Sequence, residues 1–196
     1  MSFRWLPNGL CVLRMLLSVP IAWLLLRGQF ALTLMVFVVA AVTDAADGFL
    51  AKRFQWQTEL GKILDPLADK LLLVVVFVTL ARLQLVPMWL AVLVVVRDLV
   101  ITSGAICYRW LYGPIVGAAP TLISKLNTLV QIVYVAGVVS AASLHSLQID
   151  WPLPTAMQWA LGAVVVTTLS SGVDYVLTYS RRAAQAHQAQ RLRQGQ

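Results

Sequence analysis

From residue 9 to residue 179 the sequence is a succession of apolar runs, each about 20 residues long, separated by short breaks that carry charge, proline or glycine. As an α-helix, a run of that length matches the hydrocarbon thickness of a bilayer. In lipid every backbone N–H and C=O must find its partner inside the protein, which leaves helices and closed barrels as the spanning folds. A barrel strand needs alternation of apolar and polar residues over about ten positions, and none is present. The pattern therefore predicts helices at 9–26, 29–51, 64–82, 86–110, 122–143 and 154–179. Composition agrees, because 60% hydrophobic residues, 12% charged residues and a mean hydropathy of +0.80 give more apolar surface than one soluble domain of 196 residues can hide. The expected fold is an all-α integral membrane protein of six transmembrane helices with a cytoplasm-facing polar active-site cavity. The membrane domain spans 1–180, and 181–196 form a basic cytoplasmic tail.

Basic residues set the orientation. Arg4, Lys52, Arg53, Lys62, Arg109, Lys125, Arg181, Arg182, Arg191 and Arg193 fall on one side of these helices and Arg27 and Arg82 on the other, so the first side, with both termini, is cytoplasmic. The basic start followed by an apolar run resembles a signal peptide, but Arg14 interrupts the run and further spans follow, so the segment is read as a retained first helix. A net charge of +7 without interleaved aromatic and basic residues points to anionic lipid headgroups and away from nucleic acid. Cys11 and Cys107 stand alone in apolar segments, with no CxxC pair and no nearby His, as buried small residues do.

Residues 44–70 break the apolar pattern with nine charged residues: Asp44, Asp47, Lys52, Arg53, Glu59, Lys62, Asp65, Asp69 and Lys70. Asp44 and Asp47 are three apart near the end of one helix, and Asp65 and Asp69 four apart near the start of the next, so each pair shares a helix face. Four carboxylates in one partly desolvated pocket repel and raise one another's pKa unless a cation neutralises them. Oxygen donors without His or Cys suit Mg²⁺ or Mn²⁺. Spacing alone leaves a second reading open, in which the acids pair with the neighbouring Lys and Arg and favour a helix N-terminus. Gly48 and Gly61 allow close backbone approach to a phosphorylated ligand, and Lys52 and Arg53 carry charge to balance it.

Asp44-Ala45-Ala46-Asp47-Gly48-Phe49-Leu50-Ala51-Lys52, followed eight residues later by Gly61 with Asp65 and Asp69, resembles the CDP-alcohol phosphatidyltransferase signature DxxDGxxAR…GxxxDxxxD. Every spacing is kept, and Lys52 stands where that family has Arg, keeping the charge but losing the planar fork. The resemblance implies that Asp44, Asp47, Asp65 and Asp69 hold the metal and that Asp69 also deprotonates the alcohol. It further implies that Gly48, Lys52, Thr58 and Asn8 contact CDP-diacylglycerol, and that the protein is a homodimer in a membrane, with a bacterial inner membrane the expected location. Asn8 also has an ordinary place as the N-cap of the first helix. No Ser, Cys or His in the island is poised as a covalent nucleophile, which favours direct transfer with release of CMP.

Two branches of that family differ in their acceptor, glycerol 3-phosphate giving phosphatidylglycerophosphate or phosphatidylglycerol giving cardiolipin. The first commonly has a second Arg two turns after the first, whereas Ala105 stands at the matching position after Arg97. Pro120-Thr121-Leu122-Ile123-Ser124-Lys125-Leu126-Asn127-Thr128 with Gln131 resembles the cardiolipin synthase pattern PTxxSKxNTxxQ. Phosphatidylglycerol is thus the expected acceptor and glycerol 3-phosphate the alternative, with Arg97, Lys125, Asn127 and Thr128 binding the headgroup. Asp98 follows Arg97 directly, but adjacent helical positions diverge by about 100°, so direct neutralisation is not required by the sequence. A transporter is the remote alternative; it would favour midplane sites in repeated halves, and no repeat is visible.

Overall fold

The computed structural model describes residues 6–53, 61–112, 122–146 and 154–194, with side chains at 9, 12–43, 68, 70–104, 122–146, 155–178 and 180. These residues form six α-helices and no strand: α1 (Leu6–Leu26), α2 (Phe30–Arg53), α3 (Gly61–Arg82), α4 (Met88–Tyr112), α5 (Leu122–Ser146) and α6 (Pro154–Gln194). The helix expected to stop near residue 179 continues to Gln194. Residues 181–194 contain neither Gly nor Pro and are rich in Ala, Gln and Arg, all good helix formers, so nothing local ends the helix.

The two tight reversals are built the same way. After α1, Gly28 N–H donates to Leu25 C=O at 2.9 Å and Gln29 N–H to Leu24 C=O at 3.0 Å. This Schellman arrangement needs a left-handed residue, and Gly28 supplies it at φ 70°. After α3 the same pair of bonds runs from Gln84 to Ala81 (3.1 Å) and from Leu85 to Leu80 (3.0 Å). Gln84 takes the left-handed position at φ 59°, and Pro87 then prevents the helix from resuming in register.

The chain divides into two compact units. The first comprises residues 1–91 and 132–157. In it α1 packs on α2 and α3. Arg14, Ser18, Ile21 and Leu25 form the buried stripe of α1, at the four-three-four spacing of one helix face. Ala68, Leu72, Val76, Phe77 and Leu80 of α3 and Thr33, Phe37 and Ala40 of α2 are buried as well. Phe77 stacks on Tyr134 with ring centroids 6.3 Å apart. The opposite face of α1 leaves Val12, Leu16, Val19 and Trp23 exposed, and α2 exposes Met35, Val39 and Val42. Such apolar faces are unfavourable in water and suit lipid.

The second unit comprises residues 92–131 and 158–196. Its buried side chains are largely polar, Arg97, Asp98, Asn127, Gln131, Thr168 and Ser171, with Val94 and Val164 among them. Leu126, Leu129, Val166, Leu169 and Val173 face outward. By length and composition, α5 and the Thr155–Thr178 part of α6 can each cross a membrane, and Val12–Leu26 and Phe30–Thr43 are shorter apolar stretches.

Candidate functional site

Asp44 and Asp47 lie on α2, and Asp65 and Asp69 on α3. Both stretches are helical, so the spacings of three and four put each pair on one helix face. Gly48 and Lys52 continue along α2, and Asn8 sits in the first turn of α1. The side chains of all seven residues lie outside the described ones, as does Thr58 entirely. Among the described residues no three His, Cys, Asp or Glu gather as a metal site. The fit to a cation therefore rests on the donor set. Two carboxylate pairs, each on a single helical face and free of His and Cys, offer the hard oxygen ligands that Mg²⁺ and Mn²⁺ prefer.

The predicted acceptor residues are described in full, and all belong to the second unit. Arg97 Nη1 donates to Asp98 Oδ1 at 2.6 Å, although the two are neighbours on α4. The long guanidinium side chain folds back over the 100° or so that separates their Cβ directions. Direct pairing with Asp98 is thus the arrangement adopted. Arg97 Nη2 donates to Ser124 Oγ of α5 at 3.0 Å and to Ser171 Oγ of α6. One guanidinium ties three helices together.

One turn from Ser171 on α6, the Thr168 hydroxyl donates to Asn127 Oδ1 at 2.9 Å and accepts from Gln131 Nε2 at 3.3 Å. Asn127 is wholly buried. Its Nδ2, like Arg97 Nε and Asp174 Oδ2, is buried without a hydrogen-bond partner. Thr128 uses its hydroxyl to donate to Ser124 C=O at 3.2 Å, and Lys125 is exposed. Small residues let α6 approach α4: a Cβ at Gly104 would meet Tyr175 Cε1 at 3.1 Å, and one at Gly172 would meet Arg97 Cγ at 3.9 Å.

The structure thus brings Arg97, Ser124 and Ser171 together, and Asn127 with Thr168 and Gln131. Thr168, Ser171 and Asp174 escaped the sequence reading. Their signal was present as polar residues three apart in an apolar helix, the type and spacing that face a bundle interior.

The family model for CDP-alcohol phosphatidyltransferases matches residues 4–171. The chain belongs to the CDP-alcohol phosphatidyltransferase family. The match covers both aspartate pairs and runs through α5 to Ser171 of α6. Together with the apolar helices, membership makes the chain a membrane protein. It is 34% identical over 166 residues to a cardiolipin synthase (CMP-forming) of Homo sapiens, covering 74% of this chain and 55% of the relative. Its identity to the cardiolipin synthase (CMP-forming) of Rattus norvegicus is also 34%, over 195 residues, covering 92% of this chain and 63% of that one. To the CDP-diacylglycerol–glycerol-3-phosphate 3-phosphatidyltransferase of Bacillus subtilis it is 32% identical over 139 residues, covering 71% of this chain and 68% of the relative. The matches thus span little more than half to two thirds of the length of these curated relatives.

Proposed function

We propose that this chain transfers the phosphatidyl group of CDP-diacylglycerol to a glycerol-type alcohol in phospholipid synthesis, releasing CMP. The observation that supports the reading is the helical spacing of Asp44 and Asp47 on α2 and of Asp65 and Asp69 on α3, within the residues that the family model matches. Asp44, Asp47, Asp65 and Asp69 hold Mg²⁺ or Mn²⁺, which supplies Lewis acidity and neutralises the pyrophosphate charge. Asn8, Gly48, Lys52 and Thr58 bind the CDP-diacylglycerol donor. The Asp69 carboxylate takes the hydroxyl proton of the acceptor. The alcohol oxygen bonds to the phosphorus carrying diacylglycerol, and the bond from that phosphorus to CMP breaks.

Phosphatidylglycerol is the acceptor, giving cardiolipin, with Arg97, Lys125, Asn127 and Thr128 around its headgroup. Electrostatics supports this choice. Among the described side chains of the second unit, Asp98 offsets the charge of Arg97 at 2.6 Å and Lys125 carries the other positive charge that could balance a phosphate. That suits the single charge of a phosphodiester better than the dianion of glycerol 3-phosphate. The name of the Bacillus subtilis relative favours the second reading, in which glycerol 3-phosphate is the acceptor. All six helices span the membrane, the termini and a polar active-site cavity face the cytoplasm of a bacterial inner membrane, and two copies form a dimer. Competition between the two acceptors at matched availability separates the readings. Cardiolipin predominates if phosphatidylglycerol is the acceptor, and Ala105→Arg shifts the products toward phosphatidylglycerophosphate. Predominant phosphatidylglycerophosphate from the unmodified protein reverses the choice of acceptor.

A further inference from the structure

Thr168 and Ser171 of α6 are placed differently from most of the described Ser and Thr side chains of the apolar helices. Ser18, Thr33, Thr79, Ser140 and Thr167 each donate back to a carbonyl of their own chain three or four residues earlier. That common arrangement reports nothing beyond the local helix. Thr168 and Ser171 instead bond side chains of other helices, and both are 1% exposed. They are three apart, hence neighbours on one face of α6.

Each hydroxyl fixes one candidate headgroup residue. Thr168 accepts from Gln131 and donates to Asn127, a polarity that uses both capacities of the hydroxyl and orients the Asn127 amide. With Oδ1 held by Thr168, the amide Nδ2 remains as a buried donor without a partner. Ser171, with Ser124 and Asp98, holds the two terminal nitrogens of Arg97 and leaves Nε as a second such donor. A buried donor left unmade is costly, so each of these two is a position that an oxygen acceptor would satisfy.

We infer that Thr168 and Ser171 of α6 are positioning residues that hold Asn127 and Arg97 so that Asn127 Nδ2 and Arg97 Nε are presented to the phosphate and hydroxyl oxygens of the acceptor headgroup. This rests on the reading of Arg97 and Asn127 as headgroup-binding residues. The hydroxyls act through their partners and do not touch the reacting atoms.

The test uses the purified full chain with CDP-diacylglycerol and phosphatidylglycerol in mixed micelles. Thr168→Val and Ser171→Ala remove the hydroxyls, Thr168→Ser and Ser171→Thr keep them, and Arg97→Lys and Asn127→Leu remove the groups they hold. Thr168→Val and Ser171→Ala are expected to raise the apparent KM for phosphatidylglycerol about three- to tenfold and to leave that for CDP-diacylglycerol unchanged. The hydroxyl-keeping variants restore the original value. Ser171→Ala adds little to Arg97→Lys, and Thr168→Val adds little to Asn127→Leu, because each pair acts as one unit. Where a hydroxyl-removing variant folds poorly, its loss of yield in the single variant and its additivity in the double decide the case. Full additivity, or equal losses for both substrates, indicates a packing role and overturns the inference. A raised phosphatidylglycerol KM in Arg97→Lys and Asn127→Leu with no change in Thr168→Val and Ser171→Ala overturns it too, while sparing the headgroup reading. An unchanged KM in folded Arg97→Lys and Asn127→Leu removes the headgroup reading itself, and the inference with it.

Discussion

Arg97 Nη1 lies 2.6 Å from Asp98 Oδ1, and both side chains are buried. Burying either charge alone is far costlier than burying the pair, because the pair keeps its attraction where water is excluded. Ser124 and Ser171 both accept from Nη2, so the ion pair also joins α4 to α5 and α6.

Removing one partner should therefore do more damage than removing both. Asp98→Ala leaves Arg97 buried and unneutralised and is expected to cost about 3–5 kcal/mol. The double variant Arg97→Met, Asp98→Leu should recover much of that loss, though not activity. Thermal unfolding in detergent measures both. A double variant no more stable than Asp98→Ala would show that the two charges are not coupled.

Asp69→Asn separates chemistry from binding. If Asp69 takes the alcohol proton, turnover falls by about 10²–10⁴-fold while three carboxylates still hold the cation and CDP-diacylglycerol binding weakens much less. Steady-state kinetics paired with a direct donor-binding measurement checks this. Proportionate losses in binding and turnover would leave Asp69 a ligand alone.

Gly104 and Gly172 differ in the room they face. A Cβ at Gly104 meets the Tyr175 ring at 3.1 Å, so Gly104→Ala forces the ring or α6 to shift and is expected to destabilise by about 1 kcal/mol. The Cβ of Gly172→Ala comes no nearer than 3.9 Å to Arg97 Cγ, an ordinary contact. There the helix preference for Ala should raise stability by about 0.5–1 kcal/mol. Unfolding midpoints that move in the same direction for both variants would contradict this account of the α4–α6 approach.

The six helices among the described residues were legible because their apolar runs are too long for strands and lack strand-like alternation, a signal summed over many residues. Their ends were less so. The spacing of Asp44, Asp47, Asp65 and Asp69 stood out because carboxylates are rare in such runs and their positions repeat at helical intervals. The Arg97–Asp98 bond was legible only as an open alternative, since adjacent positions diverge on a helix and only the length of the Arg side chain brings the two together. Thr168 and Ser171 were missed for a different reason. Small hydroxyl residues are unremarkable in apolar helices, and their partners are 41 and 74 positions away along the chain, at Asn127 and Arg97.

The central claim is divalent-cation-dependent phosphatidyl transfer, and the measurement that tests it most directly is product analysis of the purified protein given CDP-diacylglycerol and phosphatidylglycerol. With Mg²⁺ or Mn²⁺ present, mass spectrometry should find CMP and cardiolipin formed in equal amounts, and EDTA should stop both until the cation is restored. Undiminished turnover in EDTA, or no CMP with any glycerol-type alcohol in the presence of either cation, would contradict the account.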